Sequence, residues 1–278
     1  MKNALFAFSL FVSFSVVAQK LSTPPTGAEP KATLASERIV GLNTKKQSEQ
    51  RSVVSDLEFR NVGPSIMSGR VVDIDVNPTD PTIFYVAYAS GGVWFTNNNG
   101  TSFTPVFDNM EAINIGDIAV DWKAKPEPVI WVGTGESNSS RSSYAGTGIY
   151  KSVNGGKSWD YKGLPESHHI GQILIDKNDP NTVFVAAIGH LFTFNRDRGL
   201  YKTTNGGETW KQVLFIDDAT GVIDVIQDPN DSKVLYAIGW HRERVLWNFV
   251  EGGAKTGIYK SADGGESFAF DCRSIYSA

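Results

Sequence analysis

Short apolar segments recur from residue 71 to residue 261, and each is bounded by Gly, Pro, Asn or Asp. Segments of about five residues that are rich in Val, Ile, Tyr and Phe and lie between such residues predict β-strands. The segments form four groups of four predicted strands, and a Trp or Phe precedes the last strand of each group. The first strands are Val71–Val76, Ile115–Asp121, Ile170–Ile175 and Val222–Ile226. The second strands are Thr82–Tyr88, Pro128–Val132, Thr182–Ala187 and Lys233–Ile238, and the third are Gly92–Thr96, Gly148–Ser152, Gly199–Thr203 and Gly257–Ser261.

One turn sequence joins the third and fourth predicted strands of every group. It reads Ser/Thr-x-Asn/Asp-x-Gly-x-x-Trp/Phe and occurs at Thr96–Phe103, Ser152–Trp159, Thr203–Trp210 and Ser261–Phe268. Its glycines are 56, 51 and 58 residues apart. A near-constant spacing of this size indicates repeated units that bury their faces against one another. Four-stranded antiparallel units arranged radially form a β-propeller, so the sequence predicts an all-β propeller with four blades.

Each position of this repeated turn has a structural reason. The Asn or Asp side chain accepts hydrogen bonds from nearby backbone N–H groups, and the Gly adopts a positive φ without a Cβ clash. The aromatic residue fills the space between neighbouring sheets. The residues expected in these roles are Asn98, Gly100, Phe103, Asn154, Gly156, Trp159, Asn205, Gly207, Trp210, Asp263, Gly265 and Phe268. The repeated turns therefore predict architecture and not activity.

A second repeated turn joins the first and second strands, at Asn77–Pro81, Asp176–Pro180 and Asp228–Ser232. In an up-and-down blade, this turn and the turn between strands three and four lie on the same face. We call that face the bottom and the opposite one the top. The top-face loops vary in length and sequence, and function concentrates in loops held by a rigid scaffold. The top face is therefore the expected position of a binding site.

The N-terminal residues resemble a secretory signal. Lys2 is followed by an apolar run from Ala4 to Val17, and cleavage is expected after Ala18. Residues 19–53 are polar and aperiodic and predict a flexible leader, and a strand at Glu58–Val62 is expected to begin the fold. A propeller arc is expected over residues 54–278, with the remaining blades in a longer parent chain. These features predict a secreted or periplasmic protein.

Composition narrows the classes of partner. The net charge of −4 offers no basic surface for nucleic acid. The apolar run before Ala18 is too short to cross a bilayer, and no later segment predicts a membrane span. The chain contains a single cysteine, Cys272, so an internal disulfide is excluded. No phosphate-binding loop or other cofactor motif is evident.

Three long top-face loops contain the candidate ligand-binding residues. Their aromatic side chains are able to stack on a ligand, and their arginines are able to bind carboxylates with two hydrogen bonds. The residues are Glu136 and Arg141 in blade two, His190, Arg196 and Arg198 in blade three, and Trp240, Arg242, Glu243 and Trp247 in blade four.

The chain resembles a group of large exported Asp-box proteins, whose turn is also called the bacterial neuraminidase repeat. These proteins carry the labels glycosyl hydrolase and sortilin N-terminal domain. The resemblance rests on the repeated turns and on short stretches, including Phe59–Pro64, Gly91–Trp94, Val132–Glu136 and Ala187–Phe192. It implies either a module that binds a glycan or a peptide, as in the sortilin propeller, or a glycoside hydrolase.

The sequence favours binding over hydrolysis. Sialidases with this turn have an early Arg-Ile-Pro, where this chain reads Arg60-Asn-Val. Xyloglucan-cleaving propellers have an Asp at the position that Ser90 occupies here. Glycoside hydrolysis requires two carboxylates at one bond, and Glu136 and Glu243 lie in different loops. His168 and His169 have no third ligand at a spacing typical of zinc, so no metal site is predicted.

Overall fold

The computed structural model describes residues 32–57, 69–138, 143–245 and 248–271. The expected signal peptide, the strand expected at Glu58–Val62 and Cys272 lie outside these residues. One helix, α1, spans Ala35–Gln50. Among the described residues, no helix has the length and apolar character needed to cross a membrane.

Sixteen of the eighteen described strands form four antiparallel sheets of four strands, as the sequence predicts, and the other two form a separate hairpin. Blade one contains β1 Val71–Val76, β2 Phe84–Tyr88, β3 Gly92–Thr96 and β4 Thr104–Pro105. Blade two contains β5 Ile115–Asp121, β6 Val129–Thr134, β7 Ile149–Ser152 and β8 Asp160–Tyr161. Blade three contains β9 Ile170–Ile175, β10 Val183–Ala187, β11 Gly199–Thr203 and β12 Lys211–Leu214. Blade four contains β13 Thr220–Gln227, β14 Leu235–His241, β17 Gly257–Ser261 and β18 Ala269–Phe270, and a hairpin of β15 Glu243–Val245 and β16 Asn248–Val250 lies in its top-face loop.

The strands of each blade pair in the order in which they follow along the chain. The first strands of successive blades are in contact with one another, and the fourth strands form the outer edges. These outer strands contain two residues in three of the blades and four in blade three. The described residues therefore form an arc of propeller blades, which confirms the predicted fold class.

The hydrophobic core lies between blades and not within them. One cluster joins blade one to blade two and includes Tyr85 and Ile118. A second joins blades two and three around Trp131, and a third joins blades three and four around Phe184. Because each interface combines the facing surfaces of two sheets, each blade depends on its neighbour for burial.

The four repeated turns have the same hydrogen-bond pattern. In the third turn, Asn205 Oδ1 accepts bonds from Thr203 Oγ1 at 2.8 Å and from Thr209 N at 3.0 Å. The N–H of Gly207 donates to Thr203 Oγ1 at 3.0 Å. The equivalent acceptors in the other turns are Asn98, Asn154 and Asp263. All of these bonds lie within the turn, so the Asn and Asp side chains hold the backbone in its turn conformation.

In the second, third and fourth repeated turns, the glycine lies against the preceding blade. Gly207 has a φ of +89°, and a Cβ at this position would lie 2.9 Å from the Trp131 ring. In the next turn, Gly265 approaches Phe184 in the same way, and in the second turn Gly156 approaches Val106. Gly is therefore required for two reasons, a backbone conformation that L-residues rarely adopt and close contact between blades.

The first strand of every blade contains a β-bulge at an equivalent place. The residues that directly follow the bulge are Asp73, Asp117, Gln172 and Asp224. Asp117 is buried, and its Oδ2 accepts a hydrogen bond from Ile173 N of the next blade at 2.6 Å. Burial raises the pKa of the Asp117 carboxyl well above its ordinary value, and the nearby Asp73 raises it further.

Helix α1 differs from the flexible leader expected over residues 19–53. Its sequence is rich in residues with high helix propensity, with Glu37 in the first turn and a Lys45–Glu49 pair at 3.7 Å. The helix begins against the top face, where Ala35 N donates to Glu166 Oε1 at 2.7 Å and the Arg38 guanidinium donates to Gly146 O. Sequence periodicity gave no sign of it, because few of its side chains are buried.

Candidate functional site

The long top-face loops of blades two and four are joined by Arg242. Its guanidinium donates to Ser137 O and to Asn138 O, both at 2.7 Å, and its side chain is fully buried. Burial lowers the pKa of Arg242 to about 10, so the side chain remains charged at neutral pH. Arg242 therefore links two loops that are separated by more than 100 residues of sequence.

Arg198 joins the loops of blades three and four in the same way. Its Nη1 donates to Ala219 O at 2.9 Å and to Arg242 O at 3.0 Å, and its Nη2 donates to His190 O. A backbone hydrogen bond from Arg244 N to Leu191 O, at 3.0 Å, adds to this contact. The three loops thus form one connected layer on the top face.

This geometry corrects the roles predicted for Arg198 and Arg242. Both were expected to bind ligand carboxylates, yet both are about 1% exposed or less and direct their N–H donors to backbone carbonyls. A carbonyl that is buried without a donor costs free energy, and an arginine with several donors satisfies more than one carbonyl at once. The two arginines are therefore structural residues beneath the candidate site.

Glu136, the first of the two candidate carboxylates, is also inside the layer. It has no exposed surface, and its Oε1 accepts a hydrogen bond from the Arg70 guanidinium at the start of blade one. A substrate has no direct access to a side chain in this position. Its neighbour His169 is buried as well, with Nδ1 located 2.8 Å from Glu136 O.

The second candidate carboxylate, Glu243, lies in β15 and is partly exposed. Its Oε1 is 2.7 Å from His241 Nε2. In the same loop, Trp240 is partly buried, donates from Nε1 to Glu251 O at 3.0 Å, and lies 4.7 Å from the Arg242 guanidinium. Arg196 is exposed and lies over the Phe215 ring at 4.7 Å. Arg141 and Trp247 lie outside the described residues.

Exposed aromatic side chains cover the layer. Phe192 and Phe194 belong to the loop of blade three, Tyr144 to that of blade two, and Phe249 to the hairpin of blade four. Their exposed fractions are 55%, 46%, 58% and 39%, which are high for rings that prefer burial. The sequence shows that these loops contain aromatic residues, but it does not show which of the rings are exposed, because exposure depends on how the loops fold.

His190 also differs from its predicted role as a ligand-binding residue of the exposed surface. It is buried and stacks on His168, with ring centroids 3.6 Å apart. The Nε2 atoms of both histidines lie 3.4 Å from Glu166 Oε2. Glu166 belongs to a short 3₁₀ turn, Pro165–Ser167, that precedes blade three. The ligand atoms of these three side chains all lie within 4.8 Å of one another, which is close enough for the three to hold a metal ion.

A cleft of about 820 Å³ lies between blades one and two, beside the bottom-face turns. Its aromatic lining includes Tyr85, Phe95, Trp122 and Trp159. The indole N–H groups of this cleft already have acceptors, since Trp122 donates to Asp75 Oδ1 and Trp159 to Val106 O, both at 2.7 Å. The cleft is thus a space between packed blades in which these two indole N–H groups are not available to a ligand.

The solved structures that are similar to this chain include two GH74 proteins. An ancestral GH74 enzyme matches 70% of the chain with 23% identity and a TM-score of 0.52. The GH74 xyloglucanase from Xanthomonas campestris matches 78% of the chain with 18% identity and a TM-score of 0.55. The matched regions are 24% and 32% of those two structures, so the chain spans a quarter to a third of their length. No family model and no curated protein matches the chain. At these identities the similarity concerns the fold, which is that of β-propeller proteins.

Proposed function

We propose that this chain is part of an exported propeller of the Asp-box type that binds a glycan or a peptide on its top face. The observation that carries the proposal is the set of exposed aromatic rings, Tyr144, Phe192, Phe194 and Phe249, on loops joined by buried arginines. Aromatic rings at a surface provide large contact areas with little loss of side-chain entropy on binding. All four rings belong to loops between the second and third strands of their blades, and these loops lie on the top face.

The rigidity of the layer supports this function. Arg198 and Arg242 connect the three loops before any ligand arrives, so less conformational entropy is lost when the ligand binds. Arg196, which follows Phe194 in the same loop, is exposed and adds a cation to this surface. A ligand with an apolar face and an anionic or hydroxyl-rich edge matches this combination of aromatic rings and a guanidinium.

Glycoside hydrolysis is the alternative function, and the similarity to GH74 structures is a reason to test it. Hydrolysis by two carboxylates requires both to reach the scissile bond. Glu136 is buried against Arg70, and Glu243 is paired with His241. These contacts favour binding without turnover for the residues that the structure describes.

The deciding experiment screens the full chain against a glycan and peptide panel that includes xyloglucan oligosaccharides. Binding and the release of reducing ends are both measured. The proposal predicts saturable binding that Phe192→Ala and Phe194→Ala each weaken by at least about tenfold, in the range of residues at the centre of an interface. The matched control is Phe270→Ala, because Phe270 is 43% exposed but lies on the outer strand of blade four.

Two results would contradict the binding function. One is turnover that Glu243→Gln abolishes, which would make the protein a hydrolase. The other is binding that Phe270→Ala weakens as much as Phe194→Ala does, which would place the ligand elsewhere. Export is tested separately by determining the N-terminal residue of protein recovered outside the cytoplasm. Cleavage after Ala18 predicts that this residue is Gln19.

A further inference from the structure

Three side chains from two different loops direct their ligand atoms to one point on the top face. Glu166 Oε2 is 3.4 Å from His168 Nε2 and 3.4 Å from His190 Nε2, and all three atoms lie within 4.8 Å of one another. Each of these atoms is buried and has no hydrogen-bond partner among the described residues. Buried polar atoms without a partner are rare, so three that converge require a common explanation.

Hydrogen bonding among the three groups does not provide that explanation. A charge-assisted N–H···O bond is about 2.7–2.9 Å long, and the two separations of 3.4 Å exceed this range. The cluster therefore consists of one carboxylate and two imidazoles whose converging atoms have no other partner among the described residues, and these are groups that bind a metal ion in their deprotonated forms.

The two Glu166–His separations match those around a tetrahedral ion, and the stacked imidazole rings, with centroids 3.6 Å apart, must turn away from each other for both Nε2 atoms to bind it. With bonds of about 2.0–2.1 Å to His nitrogen or carboxylate oxygen, neighbouring ligand atoms of a tetrahedron are roughly 3.3–3.4 Å apart. The two Glu166–His separations agree with this value. Two histidines and one carboxylate are a common ligand set for Zn²⁺ in proteins, with a fourth position left for another donor.

Contacts outside the cluster hold the ligands in orientation. Glu166 Oε1 accepts the N–H of Ala35 at the start of α1, which leaves Oε2 available to an ion. Thr193 Oγ1 lies 3.4 Å from His190 Nδ1, the ring nitrogen opposite the cluster. Such partners of metal ligands fix ring orientation and increase affinity. Asp197 Oδ2, 3.9 Å from His190 Nε2, is the nearest further oxygen donor on the exposed side.

We propose that Glu166, His168 and His190 form a binding site for one divalent transition-metal ion, with Zn²⁺ as the best match. The fourth position is filled by Asp197 or by a water molecule. The bound ion connects the turn before blade three to the long loop of blade three, and Glu166 extends this connection to the first residue of α1. The ion thereby fixes one side of the top-face layer.

The test begins with the full chain freed of metal by a chelator and titrated with Zn²⁺ in a calorimeter. We expect one equivalent to bind and the melting temperature to rise, because an ion that binds only the folded state stabilises it. X-ray absorption of the zinc-loaded chain should show two imidazole ligands and no sulfur. The chain has four histidines and one cysteine, so this spectrum strongly limits the possible sites.

Variants then locate the ion. His190→Asn and Glu166→Gln should each weaken Zn²⁺ binding by more than the roughly 10–100-fold seen for loss of an outer partner. The control is His241→Asn, which removes another histidine that is paired with a carboxylate, Glu243, but is not part of the cluster. It should bind Zn²⁺ with the affinity of the parent chain.

Three results would overturn the proposal: no stoichiometric binding to the parent chain, a spectrum with sulfur or with fewer than two imidazoles, and equal weakening by His241→Asn and His190→Asn. If the cluster variants fail to fold, the spectrum of the parent chain decides the matter without them.

Discussion

The Trp210 indole, in the repeated turn of blade three, contacts Trp131 of blade two edge to face, with ring centroids 6.3 Å apart. Its Nε1 also donates to Lys162 O of blade two at 2.6 Å. One side chain thus contributes both apolar contact and a hydrogen bond to the interface between blades. Trp159 makes the same two contacts with blade one: its ring meets Phe107 edge to face, and its Nε1 donates to Val106 O.

We expect Trp210→Ala to destabilise the protein by about 3 kcal/mol, the lower end of the range for a large aromatic side chain, because the indole is partly exposed. The change removes the contact with Trp131 and leaves Lys162 O without its donor. Urea denaturation monitored by circular dichroism measures the effect. Phe194→Ala, which removes an exposed ring, should change the free energy of unfolding by less than about 0.5 kcal/mol. Equal effects would mean that the indole does not hold the blades together.

Two glycines of the repeated turns allow the free-energy cost of backbone strain to be measured separately from the cost of a steric clash. Gly207 and Gly264 both have positive φ values, +89° and +77°. A Cβ on Gly207 would meet the Trp131 ring at 2.9 Å, whereas a Cβ on Gly264 would meet nothing within 4 Å. Gly264→Ala should therefore cost about 1–2 kcal/mol from backbone strain alone, and Gly207→Ala should cost clearly more. Equal losses in thermal stability would show that the contact with Trp131 relaxes without cost.

Arg242→Ala should loosen the top-face layer. It removes a buried cation and leaves Ser137 O and Asn138 O without donors, and hydrogen bonds to charged groups contribute about 1.5–3 kcal/mol each. Hydrogen exchange measured by mass spectrometry should increase in the loops of blades two and four. Arg196→Ala, which removes an exposed arginine of the neighbouring loop, should leave exchange in these loops unchanged. An unchanged pattern in both variants would mean that other contacts suffice to hold the loops.

Asp117 predicts a pH dependence of stability. Because burial raises its pKa in the folded protein, the folded state binds the proton more tightly than the unfolded chain does. The resulting stability is fully present below the ordinary pKa of 3.8 and is lost as pH rises through the raised value. The carboxylates of Asp73, Asp75 and Asp224 face the same group and add to the effect.

Asp117→Asn should therefore raise the melting temperature most at high pH and least at low pH, since Asn is neutral throughout and its carbonyl still accepts from Ile173 N. A gain of 1 kcal/mol corresponds to about 2–4 °C for a chain of this size. Asp80→Asn, at an exposed turn where the Thr82 hydroxyl lowers the carboxyl pKa, should show no gain at high pH. Parallel pH profiles for the parent and Asp117→Asn would contradict the assignment.

The sequence predicted the scaffold closely because strand alternation and turn chemistry are local properties. Three of the four first strands, β1, β5 and β9, begin and end at the predicted residues. The predicted bounds of the first strand of blade four, Val222–Ile226, were shorter than those of β13, Thr220–Gln227. The hairpin of β15 and β16 was not predicted, because it lies in a loop without a repeated counterpart.

The candidate site was less predictable because its contacts join distant parts of the chain. Arg242 has the composition of a ligand-binding residue, and only its hydrogen bonds to Ser137 and Asn138 reveal a structural role. The His168–His169 pair suggested two ligands from adjacent residues. In the fold, His169 is directed to Glu136 O, and His168 instead meets His190 and Glu166.

The shortness of the outer strands has a consequence for the behaviour of the protein at high concentration. An exposed strand offers unpaired N–H and C=O groups on which a second molecule is able to add a strand, and long flat edges of this kind lead to aggregation. In blades one, two and four the outer strand has only two residues, and Pro105 in blade one has no N–H to donate. The rim of the described arc thus gives another chain very little length over which to pair, which protects the blades from joining a neighbouring molecule edge to edge.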